Sequence, residues 1–297
     1  MTTLSAALAA ARAKLPASEA RLLLGHLLER DPAWLIAHDD EVLEEAALQR
    51  FASLVARRTG GEPLDYLVGQ REFFGREFAV SPAVLIPRPE TELLVEIALA
   101  RIAANHAPKT ERSGACGQVT AEVGEACAGP RVLDLGTGSG CIAITLALEC
   151  PRAQVSAVDT SEAALLVARR NAQQLGGPVR LVHSDWFAAL AGESFDLIVA
   201  NPPYIAAGDP HLVVGDLRHE PVAALTGGVD GLASIRRIIT LAPAHLASGG
   251  QLWLEHGYDQ AGAVRELLAA AGFADIEQHI DLAGIVRVSG GRLRPAG

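Results

Sequence analysis

The fold is decided by a ten-residue stretch of the 297-residue chain, FDLIVANPPY at positions 195–204. Its apolar run from Leu197 to Ala200 is rich in β-branched residues, which is typical of a central parallel strand buried on both faces. Two prolines then end the run. Because proline fixes φ and donates no backbone hydrogen bond, the carbonyls beside it are available to face a cleft. We therefore predict a buried strand that delivers an active site at its carboxyl end.

The turn after this strand combines hydrogen-bond acceptors with an aromatic ring. Asn201 and Pro202 supply the acceptors, and Tyr204 supplies the ring. The arrangement suits a planar group that carries an NH2, since its two hydrogens need two acceptors while its flat face packs on the ring. Asn-Pro is also an ordinary turn dipeptide, so a turn that only ends the strand is the alternative interpretation.

A second motif, DLGTGSG at positions 134–140, joins a predicted strand to a predicted helix. Its glycines permit positive φ and let a ligand approach the backbone at the carboxyl end of the sheet. A dinucleotide-binding loop would place its third glycine at position 141, where this chain has cysteine. The spacing therefore argues against a pyrophosphate ligand.

Acidic residues end the next two predicted strands. Asp159 is placed to accept hydrogen bonds from both hydroxyls of a ribose. Asp185 is placed to accept from the exocyclic amine of adenine, and the ring of Trp186 is placed to cover it. Each carboxylate alone is more often a helix cap or a turn residue. Together, at successive strand ends around one crevice, they predict an adenosine pocket.

Strand and helix patterns alternate from Arg131 onward, which predicts a doubly wound α/β sheet. One of the predicted helices spans 235–246. Seven strands are predicted, at 132–135, 155–158, 179–182, 197–200, 252–254, 276–280 and 285–288.

The part of the chain before this sheet divides into two predicted units. Apolar residues at helical spacing predict a helical domain over residues 1–71, which we expect to recognise a partner. The pattern then changes to that of a β-hairpin, which predicts a connector over residues 72–88. Residues 89–297 would form the catalytic domain, beginning with a helix that has acids at its positive end.

Within that domain, residues 104–130 lose all periodicity. We predict a flexible surface loop that contains Cys116 and Cys127.

Composition and charge exclude several classes of protein. The four cysteines show no metal-ligand spacing, so we expect no metal site and a reduced, cytoplasmic chain. No apolar run approaches the ~18 residues of a membrane span. The net charge is −10, and each part of a chain divided after Arg71 and Gly129 is net negative. Direct binding to nucleic acid is therefore disfavoured.

The motifs resemble those of the HemK/PrmC family, the peptide chain release factor glutamine N5-methyltransferases. The similarity covers nearly the whole chain except 104–130, which is longer than the family pattern. A second departure is the triplet Ile285-Val286-Arg287, which replaces a more polar stretch. Besides the glycine loop, Asp159 and the NPPY turn, the resemblance is carried by GEP at 61–63, FG at 74–75 with Phe78, LIPRPETE at 85–92, SDWF at 184–187, EP at 220–221, LEHG at 254–257 and DLAG at 281–284.

The resemblance implies a seven-stranded, Rossmann-like class I methyltransferase domain that uses S-adenosyl-L-methionine and no metal. Its substrate would be the glutamine in the Gly-Gly-Gln tip of class I release factors, docked by the helical domain of a monomeric enzyme. Asn201, Pro202, Pro203 and Tyr204 would bind this glutamine, and all of them except Pro203 would be catalytic. The methyl donor would be bound by Gly136, Thr137, Gly138, Ser139, Gly140, Asp159, Asp185, Trp186 and Asn201.

Alternatives remain open at this point. A ribosomal-protein glutamine methyltransferase would use the same chemistry on another partner. A nucleic-acid adenine N6-methyltransferase uses a similar turn, although the acidic composition and the absence of a target-recognition insert count against it. A non-enzymatic adaptor that keeps only the fold is disfavoured by the intact motifs. The sequence does not decide whether Glu90 or His256 belongs to the site.

Overall fold

The computed structural model of the protein describes residues 2–105 and 129–294. Positions 106–128 of the predicted loop, with Cys116 and Cys127, lie outside the described residues, so that interpretation stays a prediction.

The chain begins with a bundle of short helices. Two of them begin at side-chain caps, because Thr3 Oγ1 accepts from the backbone N–H of Ala6 and Asp31 Oδ1 accepts from that of Trp34. Apolar side chains such as Leu23 and Leu24 are completely buried between the helices. This confirms the predicted N-terminal bundle. Its helices are α1 (Leu4–Arg12), α2 (Ala17–Leu28), α3 (Pro32–Ala37), α4 (Glu45–Thr59) and α5 (Leu64–Val68).

A two-stranded antiparallel hairpin, β1 (Gln70–Phe73) and β2 (Arg76–Ala79), follows the bundle, as predicted. The side chains of Phe73 and Phe78 are buried in the same core as the next helix, α6 (Glu92–Asn105). A 3-10 turn at Pro89–Thr91 leads into α6. The hairpin therefore shares an apolar core with the sheet domain, whereas the bundle has a core of its own.

The sheet domain alternates strands and helices along the chain. Within the described residues it has seven strands, in the spatial order β5-β4-β3-β6-β7-β9-β8, and only the β7–β9 and β9–β8 pairs are antiparallel. The elements are β3 (Arg131–Leu135), α7 (Cys141–Glu149), β4 (Gln154–Asp159), α8 (Glu162–Leu175), β5 (Val179–His183), β6 (Phe195–Ala200), α9 (Val222–Leu225), α10 (Ala233–Leu241), β7 (Leu246–Glu255), α11 (Ala261–Ala270), β8 (Phe273–Ile280) and β9 (Val286–Leu293).

Strand β6 lies in the middle of the sheet and is buried on both faces, as its apolar run predicted. Leu197 and Val199 belong to the core under α6 and α7, whereas Ile198 and Ala200 belong to the core under α10 and α11. The chain proceeds from β3 outward to β5 and then returns to β6 on the other side of β3. Ligands of doubly wound sheets bind at such a switch point, outside the carboxyl ends of the strands. The NPPY turn lies at this position.

Several predicted boundaries were wrong. Strand β7 begins at Leu246 and not at 252, and β8 begins at Phe273 and not at 276. The helix predicted at 235–246 ends at Leu241, because Pro243 lies in a following 3-10 turn and a proline cannot continue an α-helix. The strand predicted at 285–288 runs from Val286 to Leu293. Its Gly290 allows close packing on Trp253, since a Cβ at Gly290 would lie only 2.4 Å from that ring.

Ion pairs connect the helical bundle to the segment that follows the NPPY turn. Arg58 of α4 binds Glu19 of α2 through Nε at 2.7 Å and Asp216 through Nη1 at 3.0 Å. Arg218 Nη2 donates to the carbonyl of Gly60 at 2.7 Å. The 3-10 turn at Gly215–His219 is therefore attached to the end of α4.

Candidate active site

A cavity of about 220 Å³ lies at the carboxyl ends of the strands, at the switch point of the sheet. Seven of the predicted site residues line it, namely Gly136, Gly138, Asp159, Asp185, Trp186, Asn201 and Pro203. Thr137 and Ser139 are buried within the glycine loop, and Gly140 begins α7. The fold therefore brings together residues that are up to 67 positions apart in the sequence.

The glycine loop is fixed to the neighbouring strand β4. The backbone N–H groups of Gly136 and Thr137 both donate to the carbonyl of Val158 at 2.9 Å. Gly138 has a φ of 55°, and no atom lies within 4 Å of the position that a Cβ would occupy there. Because Gly138 lines the cavity, a side chain at this position would enter the space available to a ligand.

Buried polar groups lie directly beneath this loop. Asp134 is completely buried, and its Oδ2 accepts from Thr137 Oγ1 at 2.6 Å. Burial raises the pKa of Asp134 to about 7, and the hydrogen bond from Thr137 opposes this rise. Within the described residues, Asp134 Oδ1 and Ser139 Oγ have no hydrogen-bond partner. Such unsatisfied atoms are rare in folded proteins and often mark a site that a ligand or water completes.

The carboxylate of Asp159 is held at the rim of the cavity. Its Oδ2 accepts from the backbone N–H of Gly138 at 2.9 Å, and its Oδ1 accepts from that of Ser161 at 2.9 Å. Each oxygen keeps a second lone pair for a further donor. The arrangement is compatible with binding both hydroxyls of a ribose.

Trp186 and Asp185 form the far wall of the cavity. Trp186 has a φ of 54° in the left-handed region, and its ring lies beside Gly136, 3.5 Å from where a Cβ would be. Asp185 is already paired, because its Oδ2 accepts from Arg237 Nη2 at 2.7 Å. The predicted contact from Asp185 to an adenine amine would therefore use Oδ1. No sequence motif indicated Arg237.

A second, smaller cavity of about 60 Å³ adjoins the first on the side of the NPPY turn. Asn201, Pro202 and Tyr204 line it together with Arg88. Leu85, Asn201 and Ala224 line both cavities, so they form a shared wall. The smaller cavity has room for a small group such as a carboxamide.

The polar ends of the NPPY turn are hydrogen-bonded to buried side chains. Asn201 Nδ2 donates to Thr91 Oγ1 at 3.0 Å, and the Tyr204 hydroxyl donates to Glu255 Oε1 at 3.3 Å. Glu255 ends strand β7 and is completely buried. Burial raises its pKa to about 7, and the hydrogen bond from Tyr204 opposes the rise. Within the described residues, Glu255 Oε2 has no hydrogen-bond partner. Burial also raises the pKa of Tyr204 well above its ordinary value, so its hydroxyl remains a donor at neutral pH.

An ion pair closes the outer side of the small cavity. The guanidinium of Arg88 binds Glu220, whose side chain is completely buried, and Glu220 Oε2 also accepts from the backbone N–H of Ile86 at 3.1 Å. Burial raises the pKa of Glu220, and Arg88 opposes the rise. The pair fixes the segment before α9 against the segment before α6.

Comparisons with known proteins give a consistent result. Residues 1–69 match the family model of the PrmC N-terminal domain, and residues 119–228 match that of the methyltransferase small domain. The release factor glutamine methyltransferase of Burkholderia pseudomallei (strain K96243) is 54% identical over 286 residues, which cover 94% of this chain and 93% of that protein. The protein of the same name from Escherichia coli (strain K12) is 42% identical over 93% of this chain and 92% of its own length.

The chain belongs to the release factor glutamine methyltransferase family. This confirms the resemblance drawn from the motifs, and the chain is a methyltransferase. Among solved structures, the 16S rRNA N2 G1207 methyltransferase (RsmC) of T. thermophilus superimposes with a TM-score of 0.51 at 23% identity, covering 76% of this chain and 50% of that chain. That likeness confirms the Rossmann-like methyltransferase fold.

Family membership does not by itself assign roles to single residues, and the predicted roles of the site residues stay predictions. The two undecided residues lie apart from the cavities. Glu90 is exposed, and His256 is buried with its ring nitrogens bonded to Ser289 Oγ at 2.7 Å and the Gly257 carbonyl at 2.9 Å. Thr91 and Glu255 lie within the LIPRPETE and LEHG motifs, which predicted no role in the site for either residue. Their link to the NPPY turn depends on the fold.

Two further observations bear on the predicted cofactor and location. No group of three or more His, Cys, Asp or Glu side chains in residues 2–105 and 129–294 is placed to hold a metal ion. In that same part of the chain, every helix is too short or too polar to cross a membrane.

Proposed function

We propose that this chain transfers a methyl group from S-adenosyl-L-methionine to the side-chain nitrogen, N5, of the glutamine in the Gly-Gly-Gln motif of class I release factors. One observation carries the proposal. Asn201 lines both the larger cavity and the small one, so a donor and an acceptor amide would meet at one side chain. The names of the relatives support the choice of substrate. The enzyme would act as a monomer in the cytoplasm, where release factors work.

The residues around the larger cavity fit the proposed donor. The carboxylate of Asp159 suits the ribose hydroxyls, and the ring of Trp186 suits the flat face of adenine. Gly138 leaves room for the ligand to approach the backbone. Bound S-adenosyl-L-methionine supplies an electrophilic methyl group on a sulfonium.

The small cavity would hold the glutamine side chain. Asn201 Oδ1 and the Pro202 carbonyl would accept the two amide hydrogens, and the ring of Tyr204 would fix the plane of the amide. An amide nitrogen is a weak nucleophile, because its lone pair is delocalised. These residues would therefore act by orienting the nitrogen and by stabilising the positive charge that develops on it.

The reaction balances without a metal or a covalent enzyme intermediate. The nitrogen–carbon bond forms as the carbon–sulfur bond breaks, and the donor leaves as the neutral thioether. The methylated nitrogen then loses one proton to water. No strong base is needed, because an N-alkylated amide nitrogen is strongly acidic while it carries the positive charge.

Mass spectrometry of release factors and ribosomal proteins, incubated with the enzyme and isotopically labelled S-adenosyl-L-methionine, tests the substrate. One methyl group on the Gly-Gly-Gln glutamine is the expected result. Label on a ribosomal-protein glutamine would keep the chemistry and change the partner. Label found only in added DNA or RNA would reject the proposed substrate.

A variant tests the proposed role of the turn. Asn201→Ala should reduce the single-turnover rate by roughly 100-fold, the usual effect of removing one preorganised hydrogen-bonding group. Donor affinity, measured separately by calorimetry, identifies any share of the loss that comes from binding. An unchanged rate would reject the role.

A further inference from the structure

The NPPY turn is held by buried groups from two distant parts of the chain. Thr91, at the start of α6, accepts from Asn201 Nδ2 at 3.0 Å, and Glu255, at the end of β7, accepts from the Tyr204 hydroxyl at 3.3 Å. The exposed fractions of Thr91 and Glu255 are only 2% and 1%. The acceptors of these two hydrogen bonds are therefore shielded from water.

The orientation of the Asn201 amide decides whether the site can accept a substrate amide. The two ends of an asparagine side chain have nearly the same shape but opposite hydrogen-bonding character. With Nδ2 bound to Thr91, Oδ1 is the end left for other partners. If the Asn201 amide were flipped, its NH2 would face the NH2 of the substrate. Two hydrogen-bond donors would then face each other without an acceptor.

Glu255 holds the other end of the turn. Its Oε1 accepts from the Tyr204 hydroxyl, and its second oxygen, Oε2, has no hydrogen-bond partner among the described residues. The Tyr204 hydroxyl is therefore fixed by Glu255, while the Asn201 amide is fixed separately by Thr91.

We propose that Thr91 and Glu255 are positioning residues for methyl transfer. Thr91 holds Asn201 with Oδ1 presented to the substrate amide, and Glu255 holds the ring of Tyr204 beside it. The inference rests on the proposed function, since it concerns how a substrate amide is bound. It assigns a task to two residues that do not line either cavity. It also explains how the site would prefer glutamine to glutamate. A carboxylate has no hydrogens to donate and would face two fixed acceptor oxygens.

Matched variants at Thr91 test the inference in the full-length enzyme. Thr91→Val keeps the shape of the side chain and removes the hydroxyl, whereas Thr91→Ser keeps the hydroxyl. We expect Thr91→Val to lower the single-turnover rate at least tenfold with unchanged donor affinity, and Thr91→Ser to stay within threefold of the wild-type rate. Glu255→Met, which removes the acceptor of the Tyr204 hydroxyl, should lower the rate as Thr91→Val does.

A release factor carrying Gly-Gly-Glu provides a readout that a merely structural role would not change. The quantity measured is the affinity of this factor as a competitor, relative to that of the Gly-Gly-Gln factor. This relative affinity should be higher for Thr91→Val than for the wild-type enzyme, because the freed Asn201 can then turn its NH2 toward a carboxylate. A wild-type rate and a wild-type preference in Thr91→Val would overturn the inference.

Hydrogen exchange of the Asn201 side-chain NH2, followed by ¹⁵N NMR, needs no substrate and therefore separates this inference from the proposed function. We expect slow exchange in the wild type and in Thr91→Ser, and fast exchange in Thr91→Val. Exchange in the wild type as fast as that of the exposed Gln174 side chain would overturn the inference. Slow exchange in an enzyme that labels no glutamine would support the anchor and reject the proposed function.

Discussion

Asn171 of α8 offers the sharpest test of how the sheet domain holds its glycine loop. The side chain is completely buried and makes three hydrogen bonds to backbone groups of other elements. Its Oδ1 accepts from the N–H of Ala79 at 2.8 Å, and its Nδ2 donates to the carbonyls of Ala79 at 3.0 Å and Ser139 at 2.8 Å. One residue thus joins the end of the hairpin to the glycine loop.

Asn171→Leu keeps a side chain of similar size and removes all three bonds. One N–H and two carbonyls would be left buried and unsatisfied, at roughly 1–3 kcal/mol each, with the carbonyls at the lower end because each has two lone pairs. The expected loss of unfolding free energy is about 3–5 kcal/mol, which corresponds to a fall in Tm of roughly 6–20 °C. The affinity for the donor should fall as well, since the loop loses a support.

Urea unfolding followed by circular dichroism measures this loss. Gln174→Leu is the matched control, because Gln174 is exposed on the same helix and a surface substitution there should change stability by less than about 0.5 kcal/mol. If Asn171→Leu lies within about 1 kcal/mol of the control, the three bonds do not support the loop as argued.

Other predictions concern the cavity, the pH dependence and the link between the domains. Gly138→Ala places a methyl group in the larger cavity and should weaken donor binding at least tenfold by calorimetry. Gly176→Ala is the control, because Gly176 also has a positive φ, 75° against 55° for Gly138, but lies outside the cavity. An equal loss of donor affinity in both variants would contradict the prediction. Burial raises the pKa of Glu255 from 4.5 to about 7, so its contribution to stability is complete below about pH 4 and is lost as the pH rises through 7. In the wild type, the urea midpoint of unfolding should therefore fall between pH 5 and pH 8, and Glu255→Gln should make this fall smaller. Parallel plots of midpoint against pH for the variant and the wild type would reject the prediction. Arg58→Ala should speed amide hydrogen exchange in the 3-10 turn that Arg58 contacts, measured by mass spectrometry, because both of its ion pairs are lost. Arg57→Ala breaks only the ion pair with Glu62 and should leave exchange in that turn unchanged. Equal exchange rates in the two variants would contradict the proposed link between the bundle and the turn.

The general architecture was predictable because its signals are local. The apolar run that became β6 and the glycines at 136–140 each specify a strand or a turn through neighbouring residues alone. The end of α10 was missed although Pro243 marked it, because apolar residues continue the helical pattern up to Leu246. The length of β9 was not predictable, since Gly290 joins the sheet by pairing with Trp253 of β7 and Glu277 of β8, which are distant in the sequence or on another strand.

The candidate site was predictable only in part, for a related reason. Sequence motifs indicated Asp159 and Asn201, which each follow a recognisable strand. Glu255 ends a strand too, but its value to the site comes from Tyr204, 51 residues away. Contacts of this kind depend on the order of the strands in the sheet, so the contacting residues show no recognisable spacing in the sequence.

The small cavity also bears on how the enzyme would end its cycle. On the proposed chemistry, an unmodified amide fills two acceptors with two hydrogens, whereas a methylated nitrogen has only one hydrogen left. The added carbon must also fit in a space of about 60 Å³. The methylated side chain should therefore bind the small cavity more weakly than the unmodified one. Weaker binding favours product release and opposes a second methylation of the same nitrogen. The geometry that prepares the reaction would in this way limit it to a single methyl group.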